Sequence, residues 1–304
     1  KRLNETGRFS IKAAVRDGSH NFPPDVFVHS GLDLSDATNW MPILSEVDCV
    51  IHTAARVHVM HGSDAETFKE FRRINVEGTM NLARQSAAAG VRRFVFISSI
   101  KVNGEGTKPG EPFTANDTPA AVDPYSVSKR EAEDGLLRLA ANTKMDIVII
   151  RPPLVYGPGV KANFHNMMSL LCKGVHLPLG AVHNKRSLVS LGNLVDLIVT
   201  CVEHPAAANQ VFLVSDSQDL STTELLIRMG NALGQPARLW PVPTWILTTG
   251  AVLMGKRGLS QRLCGSLQVD ILKTRTLLGW SPPQTVDEGL RLTAEQFIIK
   301  LGQR

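Results

Sequence analysis

Short apolar runs alternate with helix-patterned stretches through the first half of the chain, and this alternation restricts its fold more than any other feature. Residues 11–15, 26–29, 49–52, 94–97 and 147–150 are short apolar runs that read as strands, and the continuous run 94–97 is expected to be buried on both faces of a parallel sheet. Between them, Phe68, Phe71, Ile74, Met80 and Leu82 recur at roughly helical spacing and predict a helix over 65–89, stopped by Gly90. A second helix is predicted over 125–141, where Leu136, Leu137 and Leu139 are apolar. Parallel strands need crossover connections, so the expected class is α/β, a doubly wound parallel sheet with helices on both faces. Ligands of such sheets sit at the carboxyl ends of the strands, so chemistry is sought just after each strand.

After Arg151 the pattern changes. Pro152, Pro153, Gly157, Pro158 and Gly159 crowd together and predict a loop leaving the sheet, followed by short helices, short strands and proline-rich turns. A chain of 304 residues accommodates one large domain with a smaller lobe. The net charge of +5 is mild and no run of Lys or Arg forms a block, which argues against nucleic acid as a partner. Cys49, Cys172, Cys201 and Cys264 are scattered without a CxxC pair, which fits reduced thiols in a cytoplasmic protein. His52, His58, His61 and the other histidines show no metal-ligand spacing, and no metal is expected. The apolar stretch 245–254 is too short to cross a bilayer and is expected to be a core or lid helix, with peripheral membrane contact as the minor alternative.

Tyr125 and Lys129 lie four residues apart on a predicted helix and share a face. A phenol with an ordinary pKa of about 10 is a poor acid–base at neutral pH, and a nearby ammonium favours the phenolate. Such a pair suits proton transfer in an alcohol–ketone interconversion. YxxxK alone is weak, since surface helices carry it by chance. Ser98-Ser99 follows the strand 94–97, where a hydroxyl can donate to a developing alkoxide. Asn75 is a polar residue inside a helix that has no propensity reason for it.

Asn75-Val76-Glu77-Gly78-Thr79, Phe96-Ile97-Ser98-Ser99, Tyr125…Lys129 and Arg151-Pro152-Pro153-Leu154-Val155-Tyr156-Gly157-Pro158-Gly159 together resemble the extended short-chain dehydrogenase/reductases, also called the NAD-dependent epimerase/dehydratase family. The resemblance covers nearly the whole chain in the family's order. It implies a Rossmann-type domain over 1–155 and about 186–203, with a C-terminal α+β substrate lobe over 156–185 and 204–304. It also implies that Tyr125 is the acid/base, that Lys129 lowers its pKa and holds the nicotinamide ribose, that Ser99 orients the substrate oxygen, and that Asn75 supports them. Cofactor contacts are implied at Asp33, Leu34, Thr53, Ala54, Ala55, Pro152 and Val155. The family's first strand and glycine-rich turn have no counterpart, so the chain is expected to be a fragment of a longer protein.

Arg16 follows the strand 11–15, where NAD-preferring proteins usually place an acid. An arginine there suits the 2′-phosphate of NADP, so NADP(H) is expected ahead of NAD(H), with a surface role for Arg16 as the alternative. Arg186 resembles the family's arginine reaching the diphosphate of a nucleotide sugar, and Asn163 its asparagine contacting the same ligand. Ile100-Lys101 stands where sugar 4,6-dehydratases carry an Asp-Glu pair, which argues against dehydration. The favoured expectation is a UDP-4-keto-6-deoxy-hexosamine reductase of bacterial polysaccharide pathways, with a UDP-hexose 4-epimerase as the alternative and a non-catalytic NADP-binding scaffold more remote. A UDP-sugar substrate, a cytoplasmic location and a homodimer built on the two long helices complete the expectations.

Overall fold

The structure is a computed structural model and describes residues 2–17, 22–57, 64–255 and 257–302; His58 and His61 lie outside the described residues. The strands are β1 (Ile11–Ala14), β2 (Val26–His29), β3 (Cys49–His52), β4 (Arg93–Ile97), β5 (Asp146–Arg151), β6 (Leu154–Tyr156), β7 (Leu188–Ser190) and β8 (Gln210–Leu213). The helices are α1 (Arg2–Glu5), α2 (Met41–Leu44), α3 (Asp64–Phe71), α4 (Thr79–Ala88), α5 (Pro124–Ala141), α6 (Ala162–Cys172), α7 (Leu191–Glu203), α8 (Thr222–Ala232), α9 (Thr244–Leu253), α10 (Arg257–Cys264), α11 (Leu272–Leu278) and α12 (Val286–Gly302).

Every strand ladder among these is parallel. β3, β4, β5 and β8 form one sheet in that order, while β1 pairs with β2 and β6 with β7. The central strands obey the period of two that a sheet covered on both faces requires. Phe94, Phe96, Ile147 and Ile149 point to one face, against Leu82 and Ala83 of α4 and Ala132 and Leu136 of α5. Val95, Val148 and Ile150 point to the other, against Leu194, Leu197, Ile198 and Cys201 of α7 and against Leu278 and Trp280. Each such apolar side chain contributes about 1.5–3 kcal/mol on burial, which explains why these runs carry no polar residue. β8 and α11 pack onto this same core. A second core joins Tyr156 to Phe164 and Met168 of α6, Leu226 and Met229 of α8, and Leu290 and Phe297 of α12.

Three expectations are corrected. The helix predicted over 65–89 is not continuous α-helix: the turn Arg72–Gly78 between α3 and α4 is π-helical, and it widens where Asn75 turns inward and is buried. A single-turn π segment of this kind is common at functional sites. The segment 152–159 is not all loop, because β6 within it pairs with β7. The apolar stretch 245–254 does form a helix, α9, but none of its residues is buried, so it is not a core helix. No helix among the described residues is long and apolar enough to cross a membrane.

Candidate active site

β4 ends at Ile97, and the chain then places Ser98 and Ser99 at the carboxyl edge of the sheet. α5 begins beside them. Pro124 occupies its first turn, and the Asp123 side chain caps it by accepting from the Ser126 N–H at 2.9 Å. This start brings Tyr125 near Ser99, whose hydroxyl accepts from the Lys101 N–H at 3.3 Å. One turn on, Lys129 is buried, its Nζ donating to the Ile97 carbonyl at 2.8 Å and lying 4.2 Å from the centre of the Phe96 ring. The Ser98 hydroxyl is buried without a hydrogen-bond partner, a polar group left for a ligand at this edge.

Lys129 is not among the groups that set the Tyr125 phenol in this structure. Burial first, and the Asp123 charge second, push the Tyr125 hydroxyl up to about 12, against the pull of the Ser99 hydroxyl. Lys129 is engaged with Ile97 and Phe96 instead, and burial brings its own ammonium down to about 7, opposed by Glu133. The pair therefore holds its phenol protonated, ready to donate or to be activated by a further charge.

Asn75 ties three elements together. Its Oδ1 accepts from the Arg56 N–H at 2.8 Å, and its Nδ2 donates to the Arg56 carbonyl at 3.0 Å and to the Ser128 hydroxyl at 3.0 Å. The backbone following β3 is thereby fixed to the helix that carries Tyr125 and Lys129. Thr53 and Ala54, just after β3, are exposed, and Ala55 is half-buried. Leu34 is held close: a Cβ on Gly78 would stand 2.9 Å from its backbone carbon and oxygen, so only glycine permits this approach. Leu32 donates its N–H to the Val15 carbonyl at 3.2 Å, which brings exposed Asp33 and exposed Arg16 to neighbouring positions past β2 and β1.

Three charged contacts went unread in the sequence. Arg151 and Glu133 form a buried ion pair, and Arg151 Nη1 also donates to Asn103 Oδ1 at 3.0 Å. Glu133 stands one turn beyond Lys129 on α5, so the YxxxK spacing continued by four more residues was the available signal. Lys101 Nζ lies 2.7 Å from Asp123 Oδ2, bracing the start of α5. Burial acts to raise the Asp123 carboxyl, but Lys101 and the Ser126 N–H hold it below the usual range.

The remaining expected residues lie outside this cluster of contacts. Pro152 accepts from the Ile100 N–H at 3.0 Å through its carbonyl, and Val155 is half-buried in β6. Asn163 is exposed on α6. Arg186 donates from Nη1 to the Gly265 carbonyl at 2.9 Å, and burial lowers its guanidinium from the ordinary value. Among the described residues no group of His, Cys, Asp and Glu is arranged to hold a metal ion.

A dinucleotide fits the nicotinamide end of this arrangement. The unpartnered Ser98 hydroxyl and the exposed small residues after β3 border the edge where Lys129 and Tyr125 stand.

Residues 3–215 match the model of the NAD dependent epimerase/dehydratase family. The chain is 48% identical to UDP-glucose 4-epimerase of Vibrio cholerae over 98% of its own length and 90% of that protein. Its fold is similar to that of a UDP-glucose 4-epimerase of Thermotoga maritima crystallised with UDP-glucose, at a TM-score of 0.75 and 20% identity over 99% of this chain and 94% of the other. It is also similar to a UDP-glucuronic acid 4-epimerase of Bacillus cereus in complex with NAD, at a TM-score of 0.77 and 18% identity over 98% and 94%. The alternating core, the Ser99–Tyr125 contact over buried Lys129 and these likenesses agree: the chain is an enzyme of the NAD dependent epimerase/dehydratase family.

Proposed function

We propose that this enzyme is a UDP-hexose 4-epimerase using NAD, with Tyr125, Ser99 and Lys129 as its catalytic group. The observation that carries the reading is 48% identity to a UDP-glucose 4-epimerase, supported by Ser99, Tyr125 and buried Lys129 at the carboxyl edge of β4. This places the epimerase ahead of the reductase that the sequence favours. An epimerase returns its hydride to the same sugar, so no net NADPH is consumed and Arg16 needs no 2′-phosphate to bind.

In this reading Tyr125 Oη, once ionised by the positive ring that bound NAD would supply, takes the proton of the sugar's C4 hydroxyl and returns it, while Ser99 Oγ holds the same oxygen by a hydrogen bond. Lys129, anchored on the Ile97 carbonyl, binds the ribose side. Asn75 keeps the cofactor-side loop and α5 in register. Bound NAD supplies the hydride acceptor and a positive ring. Asp33, Leu34, Thr53, Ala54, Ala55, Pro152 and Val155 hold the cofactor, and Arg186 and Asn163 the UDP-sugar. α4 and α5 lie side by side, with Arg72 of the intervening π turn bridging to Glu131 of α5, and their outer faces form a homodimer.

The test is direct. The enzyme is incubated with UDP-glucose and NAD, and products are separated by chromatography. Formation of UDP-galactose without net NADH supports the reading. Stoichiometric NADPH oxidation on a UDP-4-keto sugar, with no UDP-glucose turnover, overturns it in favour of the reductase.

A further inference from the structure

We propose that α9 is a membrane-docking element, which lays its outward face into the interface of a bilayer containing anionic lipid. The helix reads TWILTTGAVL, is apolar nearly all round, and buries none of its residues. Trp245, Ile246, Thr249, Val252 and Leu253 are its exposed positions. They fall at i, i+1, i+4, i+7 and i+8, which is a single face of a helix. Four of the five are apolar, so the stripe that should be polar is the opposite. Trp245 is 69% exposed, Leu253 83% and the adjoining Met254 67%. Trp240, 59% exposed and with its ring 5.4 Å from that of His176, extends the patch past the start of the helix. A continuous apolar surface of this kind is not left in water without a partner.

Charge identifies the partner. From Leu225 to Val269 the chain has no Asp or Glu, but it carries Arg228, Arg238, Lys256, Arg257 and Arg262. From Leu154 to Val195 there is again no acid, against Lys161, Lys173, Lys185 and Arg186. The fold gathers these segments. Thr244 at the start of α9 donates to the Ala181 carbonyl at 3.1 Å, and Asn184 donates to the Gly265 carbonyl at 2.8 Å just past α10. Leu177 and Leu239 form a bridge between the same stretches. Lys173, Lys185, Arg238 and Arg262 are exposed there; Glu224, which faces Lys185, and Asp219, which accepts from Ser187 and Gln268, are acidic neighbours. Exposed Trp, Ile and Leu ringed by Lys and Arg is the composition of a helix that lies in an anionic headgroup layer. Ten residues extend about 15 Å, half of a hydrocarbon core, so α9 lies on the bilayer and does not span it. A second copy of this chain would face this basic surface with a basic surface of its own. The inference does not depend on which sugar the enzyme uses.

The full chain is sedimented with vesicles of phosphatidylcholine plus phosphatidylglycerol and, separately, with pure phosphatidylcholine vesicles. Binding is expected to the mixed vesicles, weaker to the neutral ones, and reduced by high salt. Trp245→Glu combined with Leu253→Glu is expected to cut binding by at least about tenfold, with an unchanged thermal unfolding curve because both side chains are exposed. If that double variant does not fold, Leu253→Glu alone serves. No binding by the wild type overturns the inference, as does equal binding by the folded variant. A self-association lost in the variant, without vesicle binding, would assign the face to a second copy and overturn it too.

Discussion

Arg151, the last residue of β5, directs its Nε at both carboxylate oxygens of Glu133 on α5, 3.0 and 3.1 Å away, with both side chains buried. A buried pair of this kind contributes little against an apolar substitute but is costly to halve, because the survivor keeps an uncompensated charge. Glu133→Gln is therefore expected to destabilise the fold by about 3–5 kcal/mol. Glu133→Gln with Arg151→Met should recover most of that loss. Urea unfolding of the two variants measures both, and an equal loss in the double variant would show that packing, not charge, sets the cost.

Tyr125 is the group on which the proposed chemistry depends. Removing its hydroxyl by Tyr125→Phe leaves the ring's edge contact with Phe71, centroids 6.1 Å apart, able to form. Turnover of UDP-glucose should fall by about 10²–10⁴-fold, the usual contribution of a positioned acid–base. NAD affinity, read by calorimetry, should change little. Loss of both together would mark Tyr125 as a packing residue.

The sheet was legible because its signal is local. Phe94 to Ile97 and Ile147 to Ile150 alternate between two buried faces, and no other element suits so short and apolar a run. The Ser99, Tyr125 and Lys129 grouping was legible because it combines a helical spacing with a strand end. What spacing did not reveal was desolvation. The rise of the Tyr125 phenol comes from burial by residues remote in sequence, and Lys129 turns to Ile97 and Phe96, contacts that no local pattern encodes. The π turn at Asn75 was hidden for the same reason, since its partners Arg56 and Ser128 come from other elements. The exposure of α9 removes the core option of the sequence reading, because apolar content alone does not say which side of a helix is covered.

Buried His52 gives the fold an acid limit. Its Nε2 lies 2.9 Å from the Thr79 hydroxyl, and its ring stacks on Phe96. Burial first, and the Lys129 charge second, lower its pKa from 6.5 to about 3. Below pH 6.5 the unfolded chain takes up a proton that the folded chain refuses until about pH 3. The stabilisation is thus complete above 6.5 and is lost as the pH falls towards 3, at up to about 1.4 kcal/mol per pH unit. Lys129 acts with the same sign but between its lowered value of about 7 and the ordinary 10.5, so it does not blur the acid window. Urea unfolding from pH 7 to pH 5 should show a shallower decline for His52→Gln than for the wild type. Parallel declines would remove His52 as the cause.

Gly78 connects the helix to Leu34, one of the residues proposed to hold the cofactor. At φ −62° it is ordinary helix, so alanine adds no backbone strain, and helix propensity alone would favour it by about 1 kcal/mol. The obstacle is contact. An added methyl would lie 2.9 Å from the backbone carbon, backbone oxygen and Cγ of Leu34, and backbone cannot swing aside as a flexible side-chain tip does. The relief available is an outward shift of Leu34, which carries Asp33 with it. Gly78→Ala should therefore weaken NAD binding by about tenfold or more, since it displaces the Asp33 carboxylate proposed to hold the cofactor. Asp33→Asn, which removes the charge without moving the backbone, should weaken binding less and leave the unfolding curve unchanged. Calorimetric titration of both variants with NAD separates the two effects. If Gly78→Ala binds NAD like the wild type while Asp33→Asn does not, Leu34 yields elsewhere and the close approach serves packing alone.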